Sequence, residues 1–372
     1  MSTTMAKRLE GKTVLITGAS SGIGKSTAQE FARTAPKNLK LILTARRLDS
    51  LKQLAADISA EVGEGVQVLP VQLDVSKPTE VAQLVQNLPT EFQQIDVLVN
   101  NAGLVRGVDK VGDIKTEDMD VMFATNVTGL INVTQAVLPQ MKARGEAGAG
   151  DIINVGSIAG REPYPNGSIY CATKAAVRSF TDAMRKELIA TRIRVIEIDP
   201  GQVETEFSVV RFYGDKSKAD AVYAGCEPLT PDDIAEIVVF TAGRRENVVV
   251  ADTLVFPNHQ VSRSLLDLAV VVRVLWLTFW VWFQGGGYGY AQEVMSAAWS
   301  DLGTRRLLRL CIRRLRGRRS CRYAFTNCIH VYRVQVRHWK NHNLPMMVPN
   351  AQKPFTCCLP TGKVPLHVPT WS

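Results

Sequence analysis

Tyr170 and Lys174 stand four residues apart in the run Tyr-Cys-Ala-Thr-Lys, a spacing that puts both on one face of a helix. Thirteen residues before Tyr170, the run Ile-Ile-Asn-Val-Gly-Ser closes on Ser157 and reads as a short buried strand ending in a hydroxyl. These types suit moving a proton onto or off an alcohol oxygen. A free phenol has a pKa of about 10 and is a poor base at neutral pH. A cation one helical turn away favours the phenolate and lowers that value. Tyr170 then acts as general acid or base, Lys174 as its electrostatic partner, and Ser157 as the donor that polarises the substrate oxygen. Each part also has a plainer use. A Tyr-x-x-x-Lys pair can be a half-buried phenol beside a solvated amine, and a Ser can simply cap a helix or form a turn. The chemical reading requires a redox-cofactor site in the same chain.

The chain offers one near its start. Residues 12–17 read as a buried strand, Gly18-Ala-Ser20-Ser21-Gly22-Ile23-Gly24 follows, and a helical run continues through Ala32. Strand, glycine loop and helix form the layout of a dinucleotide-binding turn. Glycines let the backbone turn tightly and approach a pyrophosphate, and the helix N-terminus offers it free N–H groups. The spacing here is G-x-x-x-G-x-G rather than G-x-G-x-x-G. The next strand, 39–45, runs into Arg46-Arg47. An acid near this point would take a ribose 2′-OH, whereas an Arg accommodates the 2′-phosphate of NADP. Two cations and no acid favour NADP, against a solvated helix start.

The remaining elements must hold these groups together. Strand 66–72 ends at Leu73-Asp74-Val75, where Asp74 could accept from an adenine amino group or cap the next helix. Strand 95–100 runs into Asn100-Asn101-Ala102-Gly103, small polar residues at the strand end where open α/β sheets bind ligands. Residues 116–144 hold a long helical pattern interrupted by Asn126-Val-Thr-Gly129. Asn and Gly are poor mid-helix residues, so a kink or an exposed carbonyl used for a water is one reading, and a tolerated Asn the other. The Tyr170 helix extends to about residue 190, after the loop 160–168. Strand 194–198 ends at Asp199-Pro200-Gly201-Gln-Val203-Glu-Thr205, with Thr205 either a ligand contact or a cap. The long segment 202–228 reads as an active-site lid. A helix at 231–242 and a strand at 252–256 complete a βαβα alternation, hence a Rossmann-type, doubly wound parallel sheet in one domain.

Composition divides the chain in two. Residues 1–260 carry 28 Lys and Arg against 32 Asp and Glu, and residues 261–372 carry 16 against 3, so the overall net charge of +9 belongs to the tail. All six Trp and five of the seven Cys also follow residue 260. Only Cys171 and Cys226 precede it, and the first residues lack an apolar leader, so a reducing, cytoplasmic setting is expected. In the tail, residues 265–283 are apolar enough to approach the ~20 residues of a membrane span, yet they carry Asp267 and Arg273. Residues 304–322 are Arg-dense, which would suit phosphate or anionic lipid. Cys311, Cys321, Cys328, His330 and His338 have no zinc spacing, and no metal is expected. The preferred reading is a tail of 261–372 outside the enzyme proper, such as a read-through. A membrane anchor and a nucleic-acid appendage are the competing readings.

With these residues in hand, the chain resembles the classical short-chain dehydrogenase/reductase family over about residues 8–260. The resemblance is carried by Thr17-Gly-Ala-Ser-Ser-Gly-Ile-Gly24, Asn100-Asn-Ala-Gly103, Asn126, Ser157, Tyr170-x-x-x-Lys174 and Pro200-Gly201, in that order. It implies NAD(P)(H) as hydride carrier and a catalytic tetrad of Asn126, Ser157, Tyr170 and Lys174. In it Asn126 holds a relay water, and Lys174 also binds the nicotinamide ribose. It implies cofactor contacts from Gly18, Ser20, Ser21, Gly22, Ile23, Gly24, Arg46, Arg47, Asp74, Val75, Asn101, Pro200, Gly201, Val203 and Thr205, besides Tyr170 and Lys174. A homodimer or homotetramer is the assembly it implies. The stretches 160–174, 201–208 and 250–257 further resemble fungal NADP-dependent 3-hydroxy acid dehydrogenases, which oxidise serine, allo-threonine and similar acids. The expectation is an enzyme on small hydroxy acids or the matching carbonyls, with Arg211 or Arg161 meeting the substrate carboxylate. A membrane-attached ketoreductase of a lipid or sterol and a non-catalytic NADP-binding scaffold are the alternatives.

Overall fold

Both faces of the sheet are covered by helices, and this explains why its strands read as unbroken apolar runs. A computed structural model describes residues 3–223 and 227–260. In chain order the elements are α1 (Thr3–Leu9), β1 (Thr13–Thr17), α2 (Gly22–Thr34), β2 (Leu39–Ala45), α3 (Leu48–Val62), β3 (Val66–Gln72), α4 (Pro78–Ala82) and β4 (Val97–Asn100). They continue with α5 (Thr116–Phe123), a π-helical turn (Ala124–Gly129), α6 (Leu130–Lys142), β5 (Gly150–Val155), α7 (Ser168–Glu187) and β6 (Ile193–Pro200). Then come α8 (Glu206–Arg211), α9 (Lys216–Ala221), α10 (Pro231–Ala242) and β7 (Asp252–Val255). The strands pair in the order β3-β2-β1-β4-β5-β6-β7, all parallel. The expected doubly wound Rossmann-type sheet is therefore observed. Strand order reverses between β1 and β4, so a crevice opens at their carboxyl ends.

Alternation along the strands feeds two cores. Val14 and Ile16 of β1 join Phe31, Leu51, Leu54, Ile234 and Val238 on the face of α2, α3 and α10. Leu15 joins Leu98, Ile152, Val133, Val137, Met141 and Met184 on the face of α6 and α7. The stretch Thr116–Lys142 is long and apolar enough to cross a membrane, but its apolar side is spent on this second core.

Several boundaries differ from the sequence reading. The first residues do not run straight into β1: Thr3–Leu9 is helical because Leu9 is fully buried and Arg8 donates to the Gly243 carbonyl at 3.0 Å. β6 extends past residue 198 to Pro200, since it pairs with β7 along its last four residues. The interruption at Asn126–Gly129 is a π-helical turn rather than a tolerated irregularity. Gly129 sits there because a Cβ would lie 2.8 Å from the Val75 carbonyl. The segment 202–228 is no open loop but holds the short helices α8 and α9. Cys226, residues 265–283, the Arg-dense 304–322 and the rest of 261–372 lie outside the described residues.

Candidate active site

A cavity of about 430 Å³ occupies the crevice at the carboxyl ends of the strands. One wall is the turn from β1 to α2. Gly18 (φ +68°) and Gly22 (φ +52°) lie in the left-handed region that only glycine enters freely. A Cβ on Gly18 would also lie 2.9 Å from the Ala102 backbone. Asn101 fixes this turn: its backbone N–H donates to Thr17 Oγ1 at 3.0 Å, and its amide donates to the carbonyls of Thr17 (3.0 Å) and Gly18 (3.2 Å). Gly24 is not a wall residue. A Cβ there would lie 2.5 Å from Asn101 Nδ2 and the Gly18 carbonyl, so Gly24 lets α2 close on β1. Asn100, the residue before Asn101, faces inward, donating to Thr134 Oγ1 and Asn154 Oδ1, both at 2.9 Å.

At one end Arg46 and Arg47 line the cavity with Ser20 and Ser21. Arg47 Nη2 donates to Ser20 Oγ (3.2 Å), Ser21 Oγ (3.0 Å) and Glu206 (3.2 Å). Two cations beside two hydroxyls are a donor set of the kind that could hold a dianionic phosphate. Asp74 and Val75 line the same end, with Asp74 Oδ1 also accepting from the Ser76 backbone and hydroxyl. Of the two uses the sequence left open for Thr205, the cap is observed. Thr205 lines the cavity, and it caps α8 by accepting from the Phe207 N–H at 3.2 Å. Ile23, Pro200, Gly201 and Val203 complete this set of expected wall residues.

At the other end lie Ser157 and Tyr170. Ser157 follows β5 and accepts from the Ala159 N–H at 3.1 Å. Tyr170 is buried in the first turn of α7, edge-on to Phe207 with ring centroids 5.5 Å apart. Lys174 lies one turn along the helix, its ammonium 6.0 Å from the centroid of the Tyr170 ring. It does not line the cavity but donates to the Val155 carbonyl at 2.8 Å. Burial pushes the Lys174 ammonium down to about 8, while Asp199 and Glu197 pull the other way. Asn126 sends its side chain away from the cavity. It accepts from the Leu104 N–H and donates to the Leu104 carbonyl, both at 2.8 Å, and donates to Thr173 at 3.1 Å. Any role it has toward a water therefore falls to its backbone in the π-helical turn, not to its amide.

Of the two cations proposed for a substrate carboxylate, the structure separates one from the cavity. Arg161 is spent on Asp199 and Asp252. Arg211 lines the cavity, stacked against Tyr164 at 5.5 Å and donating to the Asn166 carbonyl at 3.0 Å. Its Nε is buried with no partner among the described residues. Tyr164, Phe207, Ser208, Val210 and Tyr223 also line this end and were not singled out from the sequence. Phe207, Ser208 and Val210 sit on the six-residue α8, and Tyr164 and Tyr223 lie outside any helix or strand, so no stretch was long enough to show a periodicity that could mark them.

The geometry matches known proteins closely. A family model described as short chain dehydrogenase matches residues 12–213. The NADP-dependent 3-hydroxy acid dehydrogenase of Schizosaccharomyces pombe is 57% identical over 253 residues, which is 68% of this chain and 95% of that protein. The serine 3-dehydrogenase of Rhizobium radiobacter is 37% identical over 67% of this chain and 94% of its own. Among solved structures, the closed form of a serine dehydrogenase complexed with NADP+ superposes with a TM-score of 0.62 at 39% identity. That match covers 68% of this chain and 97% of the other.

Proposed function

The chain belongs to the short-chain dehydrogenase family, and from that membership we propose an NADP-dependent oxidoreductase that interconverts small 3-hydroxy acids, serine and allo-threonine among them, with the 3-oxo acids. The observation that carries this reading is a cavity lined together by Arg46, Arg47, Ser157, Tyr170 and Arg211. The residues fit the cofactor: positive φ at Gly18 and Gly22 leaves room for a pyrophosphate, and Ser20, Ser21, Arg46 and Arg47 suit a 2′-phosphate. Asp74 and Val75 would hold the adenine, and Asn101, Pro200, Gly201, Val203 and Thr205 the nicotinamide half.

The chemistry that NADP+ would supply when bound is that of a hydride acceptor for the carbinol carbon. Everything else falls to the chain. Tyr170, as phenolate, removes the hydroxyl proton, and in the reverse direction returns it. Lys174 holds that phenolate by its charge. Ser157 donates a hydrogen bond to the substrate oxygen as charge develops on it. Phe207 packs edge-on against the Tyr170 ring and limits where that ring can swing. Arg211 holds the carboxylate, so hydroxyl and carboxylate are fixed at two points. A homodimer or homotetramer is part of the same reading, supported by exposed apolar side chains such as Phe123 and Leu254. So is a cytoplasmic setting, supported by Cys171, which is buried and outside any disulfide.

The test is an absorbance assay at the NADPH band with L-serine, allo-threonine and 3-hydroxyisobutyrate, with NADP+ and NAD+ side by side. Turnover is expected with NADP+. Arg211→Ala should raise KM for L-serine by about 10- to 100-fold, the value of a charge-assisted hydrogen-bonded pair. An unchanged KM removes Arg211 from the site.

A further inference from the structure

Strand β6 breaks its own pattern. Ile193 and Val195 face α7 and pack among Met184 and Leu188. The next two positions on that face are Glu197 and Asp199, only 2% and 1% exposed. Carboxylates buried where the strand otherwise places apolar residues are costly, and such breaches of local rule concentrate at functional sites. Asp199 Oδ1 accepts from the Ser157 backbone N–H at 2.8 Å. Its Oδ2 accepts from Arg161 at 2.7 Å and Arg178 at 3.4 Å. Gly156 admits the pair, since a Cβ there would collide with Asp199 Oδ1 and lie 2.9 Å from Glu197 Oε1. On the other side Lys174 is buried, donates to the Val155 carbonyl and has no carboxylate at ion-pair distance among the described residues. The negative charge that reaches it comes from Asp199 and Glu197.

We propose that Asp199, backed by Glu197, is a positioning residue for the reaction: it holds the Ser157 backbone in place and supplies the charge that keeps Lys174 an ammonium. The proposal rests on the reading of Ser157, Tyr170 and Lys174 as the reacting groups. The charged groups facing the acid pair are Arg161 from the turn after β5, Lys174 and Arg178 from α7, and Asp252 from β7. Burial, then the charge of Asp199, pushes the Glu197 carboxyl well above the ordinary carboxylate range. Glu197 therefore adds its charge only as pH rises. Without Asp199, burial acts on Lys174 with less opposition, and its proton leaves at lower pH.

The experiment uses the full chain carrying Asp199→Asn, which keeps an oxygen for the Ser157 N–H and removes the charge. The Lys174 side chain is titrated by NMR of lysine-labelled protein without cofactor, its signal assigned by loss in Lys174→Ala. The kcat–pH profile for 3-hydroxy acid oxidation is measured alongside, with the NADP+ Kd and thermal midpoint. Lys174 is expected to titrate about one unit lower, the alkaline limb to move down with it, and NADP+ Kd to stay within about twofold. Glu197→Gln, which tests the pair should Asp199→Asn fail to fold, is expected to follow wild type at acid pH. It should depart from wild type on the alkaline side, where Glu197 is ionised. Unmoved titration and an unmoved limb in a folded variant overturn the proposal. The NMR readout needs no substrate, so a wrong substrate class would leave it intact.

Discussion

Tyr170 is a poor base until its neighbours are counted. Its ring is buried against Phe207, and the cation one turn along its helix is an ammonium that burial has already weakened to about 8. The Lys174 charge is present below that value and lost above it, so support for the phenolate fades as pH rises through about 8. Replacing Tyr170 with Phe removes the proton acceptor and little volume. We expect kcat for 3-hydroxy acid oxidation to fall by about 10²- to 10⁴-fold, with NADP+ Kd within about twofold by fluorescence titration. Retained turnover would remove Tyr170 from the chemistry. This residue, Lys174 and Ser157 were legible because i, i+4 spacing and a strand end are local features. Glu197 and Asp199 were not. A single strand shows its alternation but not which helix covers it, so two acids at its end read as a way out of the sheet. Asn126 was legible as an irregularity, but its side-chain partner Leu104 is 22 residues away and left no trace in the pattern.

At the scale of elements, the sheet was legible because both faces are buried and every strand is an apolar run. Its anchoring was not. Arg194 opens β6 beside Ile193 and reads as a solvated strand end, yet it is 4% exposed. Its guanidinium grips Asp151 of β5 with two bonds of 2.6 Å. It also donates to the carbonyls of Ala242 (2.8 Å) and Val248 (3.0 Å), satisfying the end of α10 and the chain leading into β7. One side chain thus ties three elements whose sequence positions span nearly a hundred residues. Arg194→Ala would leave the Asp151 carboxylate buried, with only Lys12 at 3.8 Å for company. We expect a loss of about 3–5 kcal/mol in chemical denaturation. A loss below about 1 kcal/mol would mean that water or Lys12 replaces the guanidinium. The π-helical turn and the helical lid were half legible. Poor helix formers marked the first, and length marked the second, but only packing on Val75 and on Tyr170 says what each is for.

For the whole molecule, the change in charge and in Trp and Cys use at residue 260 suggests that the catalytic domain ends there. Gln260 is 3% exposed, and its Oε1 accepts from the Gln202 N–H at 2.8 Å. Gly201 packs directly on it, with no room for a Cβ. Residue 260 therefore still braces the loop that runs from Gly201 to the Thr205 cap of α8, and with it one wall of the cavity. β7, just before it, covers the edge of β6 at Glu197–Pro200, the same segment that carries the acid pair behind Ser157. Truncation should then be tolerated after residue 260 and not before it. A chain of residues 1–260 is expected to keep kcat/KM and NADP+ Kd within about twofold of the full chain. A chain of residues 1–251, lacking β7 and Gln260, should lose cofactor binding together with its cooperative melt, because the unpaired edge and the unbraced loop both border the site. If 1–260 lost NADP+ binding while the full chain retained it, the tail would be part of the enzyme. The split in composition would then mark a second working region rather than the end of the first.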